Sequence, residues 1–202
     1  MIDTRRNILE KNYEAMHRHG FQGVRPDKVI AELGITKGAF YHYFPGKLEL
    51  GYAVVDEIIG PRYTGLWTQL DYYQGHPVEG IVWCLEYIRS GMNEQSCALG
   101  CPLNNLISEM APLDEGFRTR LQAIMETMHS AIARALQRAS DKGLLNRTID
   151  AKSYAYFVLA AMEGCFSVGK SMQRQPAFDA ALDELIGTLR ELKQGERLKE
   201  KG

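Results

Sequence analysis

The sequence predicts an all-α protein in two parts: a compact N-terminal group of three short helices, and a larger helical region behind it. Three observations predict this. Apolar residues recur every three or four positions nearly throughout, and no segment keeps the two-residue alternation of a half-buried strand. Glycine and proline fall at the ends of these apolar stripes, where helices start and stop. Ala151 to Met172 is apolar on almost every side (Tyr154, Tyr156, Phe157, Val158, Leu159, Met162, Phe166, Val168), the pattern of a helix covered on more than one face.

The first helix is expected from Thr4 to His19, with Ile8, Leu9, Tyr13 and Met16 as its apolar stripe and Gly20 as its stop. Phe21 and Val24 then lie in a loop. Pro26 opens the second helix at its first position; Val29, Ile30 and Leu33 face inward, and Gly34 closes it. Thr36 is the N-cap of the third, whose Phe40 and Phe44, four apart, share the inner face. Pro45 breaks that helix and Gly46 permits the turn. A long fourth helix runs from Lys47 to about Tyr73, bent at Gly60-Pro61. Gln74 to Pro77 is a polar break before a helix reaching Met92, and Asn93 to Gly100 reads as a loop. Residues 102–111 form a short helix stopped before Pro112. Asp114 to Lys142 is a long one, striped by Phe117, Leu121, Ile124, Met125, Met128, Ile132 and Leu136 and ended by Gly143. Phe178 to Leu192 gives the final amphipathic helix. The expected division is a three-helix domain at 1–50, a larger helical domain at 51–194, and a frayed charged tail at 195–202.

Composition leaves the function to local features. The 202 residues carry a net charge of -1, with 45% hydrophobic and 24% charged residues, ordinary for a globular chain. Residues 1–50 hold eight Lys/Arg against six Asp/Glu, so a nucleic-acid surface has to be local rather than global. No apolar segment comes after Met1–Arg5, and no apolar run approaches a membrane span; a cytoplasmic protein is expected. The four cysteines, Cys84, Cys97, Cys101 and Cys165, form no C-x-x-C pair, and no Cys/His cluster has zinc spacing. Reduced thiols, no metal and no cofactor are expected.

The stretch from Val29 to Leu50 carries the chemistry. A helix that enters a duplex groove needs small residues at its leading end, anchors for phosphate at its rim and polar groups toward base edges. Thr36, Lys37, Gly38 and Ala39 supply the narrow end. Tyr41, His42 and Tyr43 supply hydroxyl, imidazole and aromatic groups one turn later. Lys47 begins the next helix, where unpaired backbone N–H groups already favour an anion. Gly34 is a turn residue of the kind that helix-turn-helix units use.

These residues make Thr4–Leu50 resemble the DNA-binding domain of TetR-family transcription regulators. The resemblance runs over Thr4-Arg5, Ile8-Leu9, Gly20-Phe21, Val29, the whole of Gly34–Phe44, Lys47 and Leu50. It implies a homodimer on a palindromic operator of double-stranded DNA. It also implies a small-molecule inducer pocket in the C-terminal domain, and most often repression. By position, the implied DNA contacts are Arg25, Thr36, Lys37, Gly38, Tyr41, His42, Tyr43 and Lys47. Arg25 departs from the Ser or Thr usual there and cannot cap in the same way; Ile30 is bulkier than the usual alanine.

Leu99-Gly100-Cys101-Pro102-Leu103, together with Asn105 and Glu109, resembles a subgroup of the family that senses electrophiles and includes the repressor of N-ethylmaleimide reductase. That resemblance makes Cys101 the sensing thiol and Lys170 its lysine partner. A cysteine at a helix start has a lowered pKa, and oxidation or alkylation there could shift the helix. A buried cysteine acting as a small hydrophobe is the competing reading. Cys97 is a candidate resolving thiol, and Cys84 and Cys165 read as core. The competing sensor is an apolar pocket with Trp67, Trp83, Tyr87, Met125, Met128, Met162 and Phe166 as candidate lining, suited to an apolar or aromatic ligand.

Two rival functions remain, a helical enzyme and a ligand-binding scaffold dimer without DNA binding. The five histidines, His17, His19, His42, His76 and His129, pair with no carboxylate or cysteine at a telling spacing, and no phosphate loop or nucleophile elbow is present. Catalysis is therefore not expected. A scaffold leaves Thr36 to Lys47 without a purpose.

Overall fold

The computed structural model describes residues 3–193. In chain order its helices are α1 (Thr4–Gly23), α2 (Pro26–Leu33), α3 (Lys37–Tyr43), α4 (Lys47–Val54), α5 (Gly60–Trp67), α6 (Pro77–Ser90), α7 (Glu94–Leu99), α8 (Pro102–Met110), α9 (Glu115–Asp141), α10 (Ala151–Met172) and α11 (Gln175–Glu191). The fold is all-α: no strand occurs among the described residues. The expected tail at 195–202 lies outside them. No helix among the described residues is long and apolar enough to cross a membrane.

The chain packs as two compact units. Among the described residues, the first runs through Gly65 and takes in Leu99–Glu126; the second comprises Leu66–Ala98 and residues 127–193. In the first unit, Ile8 and Leu9 of α1, Phe40 of α3, Leu50 of α4, Leu103 of α8 and Phe117 of α9 are buried to 2% exposure or less. Phe21 closes this core edge-on against Phe117, ring centroids 4.7 Å apart. Local signals set the helix ends. Asp3 accepts the Arg6 N–H at 3.1 Å to cap α1. Pro26 opens α2, and Gly34 ends it in the left-handed region at φ 64°.

Two expectations for this unit are corrected. Gly20 does not stop the first helix; it kinks it. At φ 72° and ψ 164° it breaks the helical path, and Phe21 to Gly23 make a further turn that buries Phe21. The long fourth helix is segmented rather than simply bent. A π-helical turn, Val55–Ile59, separates α4 from α5, and a 3₁₀ turn, Thr68–Tyr72, succeeds α5. Pro61 explains the first irregularity. It has no N–H for the Glu57 carbonyl, and its ring would clash with that carbonyl in a regular helix. The wider turn relieves this, with the Gly60 N–H reaching back to the Val55 carbonyl.

In the second unit, α10 buries Val158, Leu159, Met162, Cys165 and Phe166, and packs along α11 with Phe166 and Phe178 ring centroids 5.0 Å apart. Its other side carries exposed Tyr156, Phe157, Val168 and Met172. Asn93 to Gly100, expected as a loop, contains α7. Asn93 and Ser96 form a reciprocal cap that starts it: the Asn93 side chain accepts the Ser96 N–H, and the Ser96 hydroxyl accepts the Asn93 N–H, both at 2.9 Å. The last helix begins at Gln175, ahead of the expected Phe178, because Pro176 sits in its first turn. Lys193 is tied to Glu79 at 2.7 Å.

Candidate functional site

The third helix is held from inside and left open outside. Thr36 Oγ1 accepts the Ala39 N–H at 3.1 Å, which fixes the start of α3. Phe40 and Phe44 anchor the inner face at 0% and 3% exposure. The opposite face then has to point to solvent, and it carries the expected reading residues. Tyr41 is 45% exposed and Tyr43 39%, with Lys37, Gly38 and His42 exposed between and before them. The rings are braced at the edge, Tyr41 against Phe40 and Tyr43 against His42, each at 5.3 Å between centroids. A Cβ added at Gly38 would meet nothing closer than Thr36 Oγ1 at 3.9 Å, so the leading end is slim and unobstructed.

The flanking cations are less free than their sequence positions suggest. Lys37 Nζ pairs with Asp27 in the first turn of α2 at 3.0 Å. Arg25 occupies the N-cap position of α2 in an extended conformation without a capping side-chain bond, as its chemistry requires. Lys47 Nζ donates to the Gln22 carbonyl at 2.9 Å and lies 5.0 Å from the Phe21 ring centroid, while Gly46 occupies the N-cap of α4. An ammonium has three donors, so this bond leaves two for a phosphate.

At the start of α8, Cys101 is the N-cap and is only 2% exposed. Its Sγ accepts the Asn104 N–H at 3.4 Å and shares a hydrogen bond with the Tyr63 hydroxyl at 3.2 Å. The corner before it is pinned twice: Asn105 Nδ2 donates to the Leu99 carbonyl, and His17 Nε2 meets the Gly100 carbonyl, both at 2.8 Å. Sequence patterns give Tyr63 and His17 no role, since their partners lie far along the chain. The other thiols are buried too. Burial pushes the Cys84 thiol up to about 12 and raises those of Cys97 and Cys165, so none of these three favours its thiolate. Lys170 is exposed in the last turn of α10.

The expected pocket residues divide. Trp67, Met128, Met162 and Phe166 are buried, Met125 is half-buried, and Trp83 and Tyr87 stand on the exposed side of α6 at 43% and 60%. Val78, Ile81, Val82 and Leu85 form that helix's buried side instead. A cleft of about 530 Å³ opens between α1 and α2, but Lys11, Arg18, Arg25, Lys28 and Glu32 are among its lining, none of the expected aromatic or methionine residues.

A capped helix with a polar, aromatic outer face, set behind a glycine turn in an all-α protein, defines a helix-turn-helix regulator. Comparison with known proteins gives the family. Residues 8–54 match the model of bacterial regulatory proteins of the tetR family, and residues 77–185 match the tetracyclin repressor-like C-terminal domain. The chain belongs to the TetR family of transcriptional regulators. It is 25% identical over 183 residues to an HTH-type transcriptional regulator in the lacX 3' region of Lactococcus lactis subsp. lactis, covering 91% of each chain. It is 23% identical over 186 residues to the HTH-type transcriptional repressor DhaR of Mycobacterium sp. strain GP1, covering 92% of each. The HTH-type transcriptional repressor NemR of Escherichia coli is 23% identical over 146 residues, 71% of this chain and 72% of NemR. The structure of reduced Escherichia coli NemR superposes with a TM-score of 0.77 at 21% identity, covering 91% of this chain and 95% of that one, a likeness of fold.

Proposed function

We propose that this regulator is a homodimeric repressor that holds a palindromic operator and lets go when its sensor half receives a chemical signal. In this reading residues 1–50 read DNA, and residues 51–194 sense the signal and pair the subunits. The observation that carries it is the outer face of α3, where Tyr41, His42 and Tyr43 are exposed on a helix whose cap and inner phenylalanines are fixed. Lys37, Arg25 and Lys47 are the phosphate anchors, Thr36 and Gly38 allow close approach, and the tyrosines and His42 face base edges. One such unit makes too few contacts for a specific site; two on a two-fold axis read half-sites about one helical turn, roughly 34–36 Å, apart. The exposed apolar side of α10, with α11 beside it, supplies the pairing surface as a four-helix arrangement with a second copy.

The signal is inferred to arrive at Cys101. Two hydrogen-bond partners converge on its sulfur at the start of α8, so a change at this thiol would act directly on the helix end. Lys170 is carried along as a candidate partner from the resemblance alone. An apolar ligand among Trp67, Met128, Met162 and Phe166 is the other route, favoured by the methionine and aromatic side chains gathered in that unit's core.

The test is selection of duplex DNA by the purified protein, with and without a thiol oxidant or alkylating agent. The expected result is an inverted-repeat sequence released on treatment, and a Cys101→Ser protein that keeps the DNA under the same treatment. No selected sequence would sink the repressor reading. Release of Cys101→Ser by the same agent would move the signal away from this thiol.

A further inference from the structure

Resting on the DNA-binding reading above, we propose that Glu109 is the positioning residue through which α8 sets the phosphate-facing Lys47. Gly20 breaks α1 at φ 72°, and the next two N–H groups, of Phe21 and Gln22, lie at the head of the further turn. Glu109 takes both. Its Oε2 accepts the Phe21 N–H and its Oε1 the Gln22 N–H, each at 2.8 Å. A negative carboxylate at the start of a turn is the partner those amides favour. The Gln22 carbonyl then accepts the Lys47 ammonium at 2.9 Å, and the same ammonium lies over the Phe21 ring. Residue 22 therefore stands between an anion on α8 and a cation at the head of α4. Its N–H is given to one and its C=O to the other.

The fit at Gly20 is close. A Cβ there would lie 2.8 Å from Glu109 Oε2 and 3.0 Å from Oε1. The carboxylate thus occupies the space that only a glycine leaves, and the backbone and the acid form one matched pair. Glu109 lies in the last turn of α8, and Cys101 caps the first. Eight residues of helix put them about 12 Å apart on one rod. A displacement of that rod by an ångström would break the two bonds at residues 21 and 22 and free the chain that holds Lys47.

Glu109 acts through Lys47 rather than by touching DNA, which gives it a signature that a simple brace lacks. The experiment measures operator affinity against salt for the full-length protein and for Glu109→Ala, Glu109→Gln, Lys47→Ala and the Glu109→Ala/Lys47→Ala double variant. Thermal midpoint and oligomeric state are monitored in parallel. Each phosphate contact contributes about 0.9 to the salt slope. Glu109→Ala is expected to lower that slope by about one and the affinity by roughly tenfold. The double variant should be no weaker than Lys47→Ala alone. Glu109→Gln keeps one accepting oxygen and should fall between, providing a folded variant if the alanine is too disruptive. An unchanged slope in either Glu109 variant, or additive losses in the double variant, would overturn the proposal while leaving operator binding intact. Absence of operator binding by the unmutated protein would overturn the DNA-binding reading and this proposal with it.

Discussion

Both units of this protein expose large side chains, but in different company. On α3 the exposed Tyr41 and Tyr43 stand beside Lys37 and His42, each ring carries a hydroxyl, and the helix is only Lys37–Tyr43 long. On α10 the exposed Tyr156, Phe157, Val168 and Met172 are spread along a helix of 22 residues whose core side is equally apolar. A short helix with polar-tipped rings beside a lysine suits a hydrated, charged groove. A long helix exposing aromatic and aliphatic side chains along its length suits another protein surface. Exposed hydrophobic residues thus acquire a meaning from their neighbours.

The contrast can be broken most forcefully on α10. Phe157→Glu places a charge where the proposed second copy packs, and an unpaired buried charge costs several kcal/mol. The expected outcome is a monomer in analytical ultracentrifugation and operator affinity lower by about a hundredfold or more. A dimer that survives this change would remove α10 from the pairing surface. On α3, Tyr41→Ala should weaken operator binding by about 1–3 kcal/mol, with little change on random DNA and none in the oligomeric state. Equal losses on both DNAs would make Tyr41 a backbone contact rather than a reader.

Smaller effects sharpen the same comparison through stability. Thr36→Ala removes the cap on α3 and should cost about 1 kcal/mol in denaturant unfolding, with a partial loss of operator affinity. In the second unit, the hydrogen bond from Arg134 chiefly holds the Asp71 carboxyl below its ordinary value. A depressed carboxylate stabilises the fold above its unfolded pKa of about 3.9, and this contribution fades as pH falls through the lower folded value. Arg134→Ala should therefore flatten the acid limb of the stability profile. The change should be no more than about 1 kcal/mol, since the pair is largely open to solvent, and DNA binding should be unaffected.

Much of the reading head is legible in the sequence because its determinants are local. Thr36 caps a site three residues on, Phe40 and Phe44 are four apart, and Gly34 ends its own helix; each signal sits inside one turn of chain. The α7 segment is legible in principle, since Asn93 and Ser96 have the spacing of a reciprocal cap, but its polar composition reads as a loop. Glu109 gives no such signal. Its partner Phe21 is 88 positions away, and nothing near Glu109 in the chain says that a broken helix waits there. Gly20 reads as a stop because a glycine that ends a helix and one that kinks it look alike until the acid filling its open side is known. Trp83 and Tyr87 mislead for a related reason: periodicity groups them on one face of α6 but does not say which face turns inward.

The wide turn at Val55–Ile59 keeps α5 in phase with α4 while fitting in an extra residue. A π turn accommodates one residue more than a regular turn, and each residue of an α-helix advances its side chains by about 100°. Deleting a single residue from this segment would close the turn to a regular one and leave Gly60 to Gly65 near their present directions, but it would set the Pro61 ring against a carbonyl four residues back. Tyr63 would still face the Cys101 sulfur, but from a helix strained at its first turn. In this part of the molecule the extra residue serves the proline: a one-codon deletion should cost stability, and Pro61→Ala in the shortened chain should restore it.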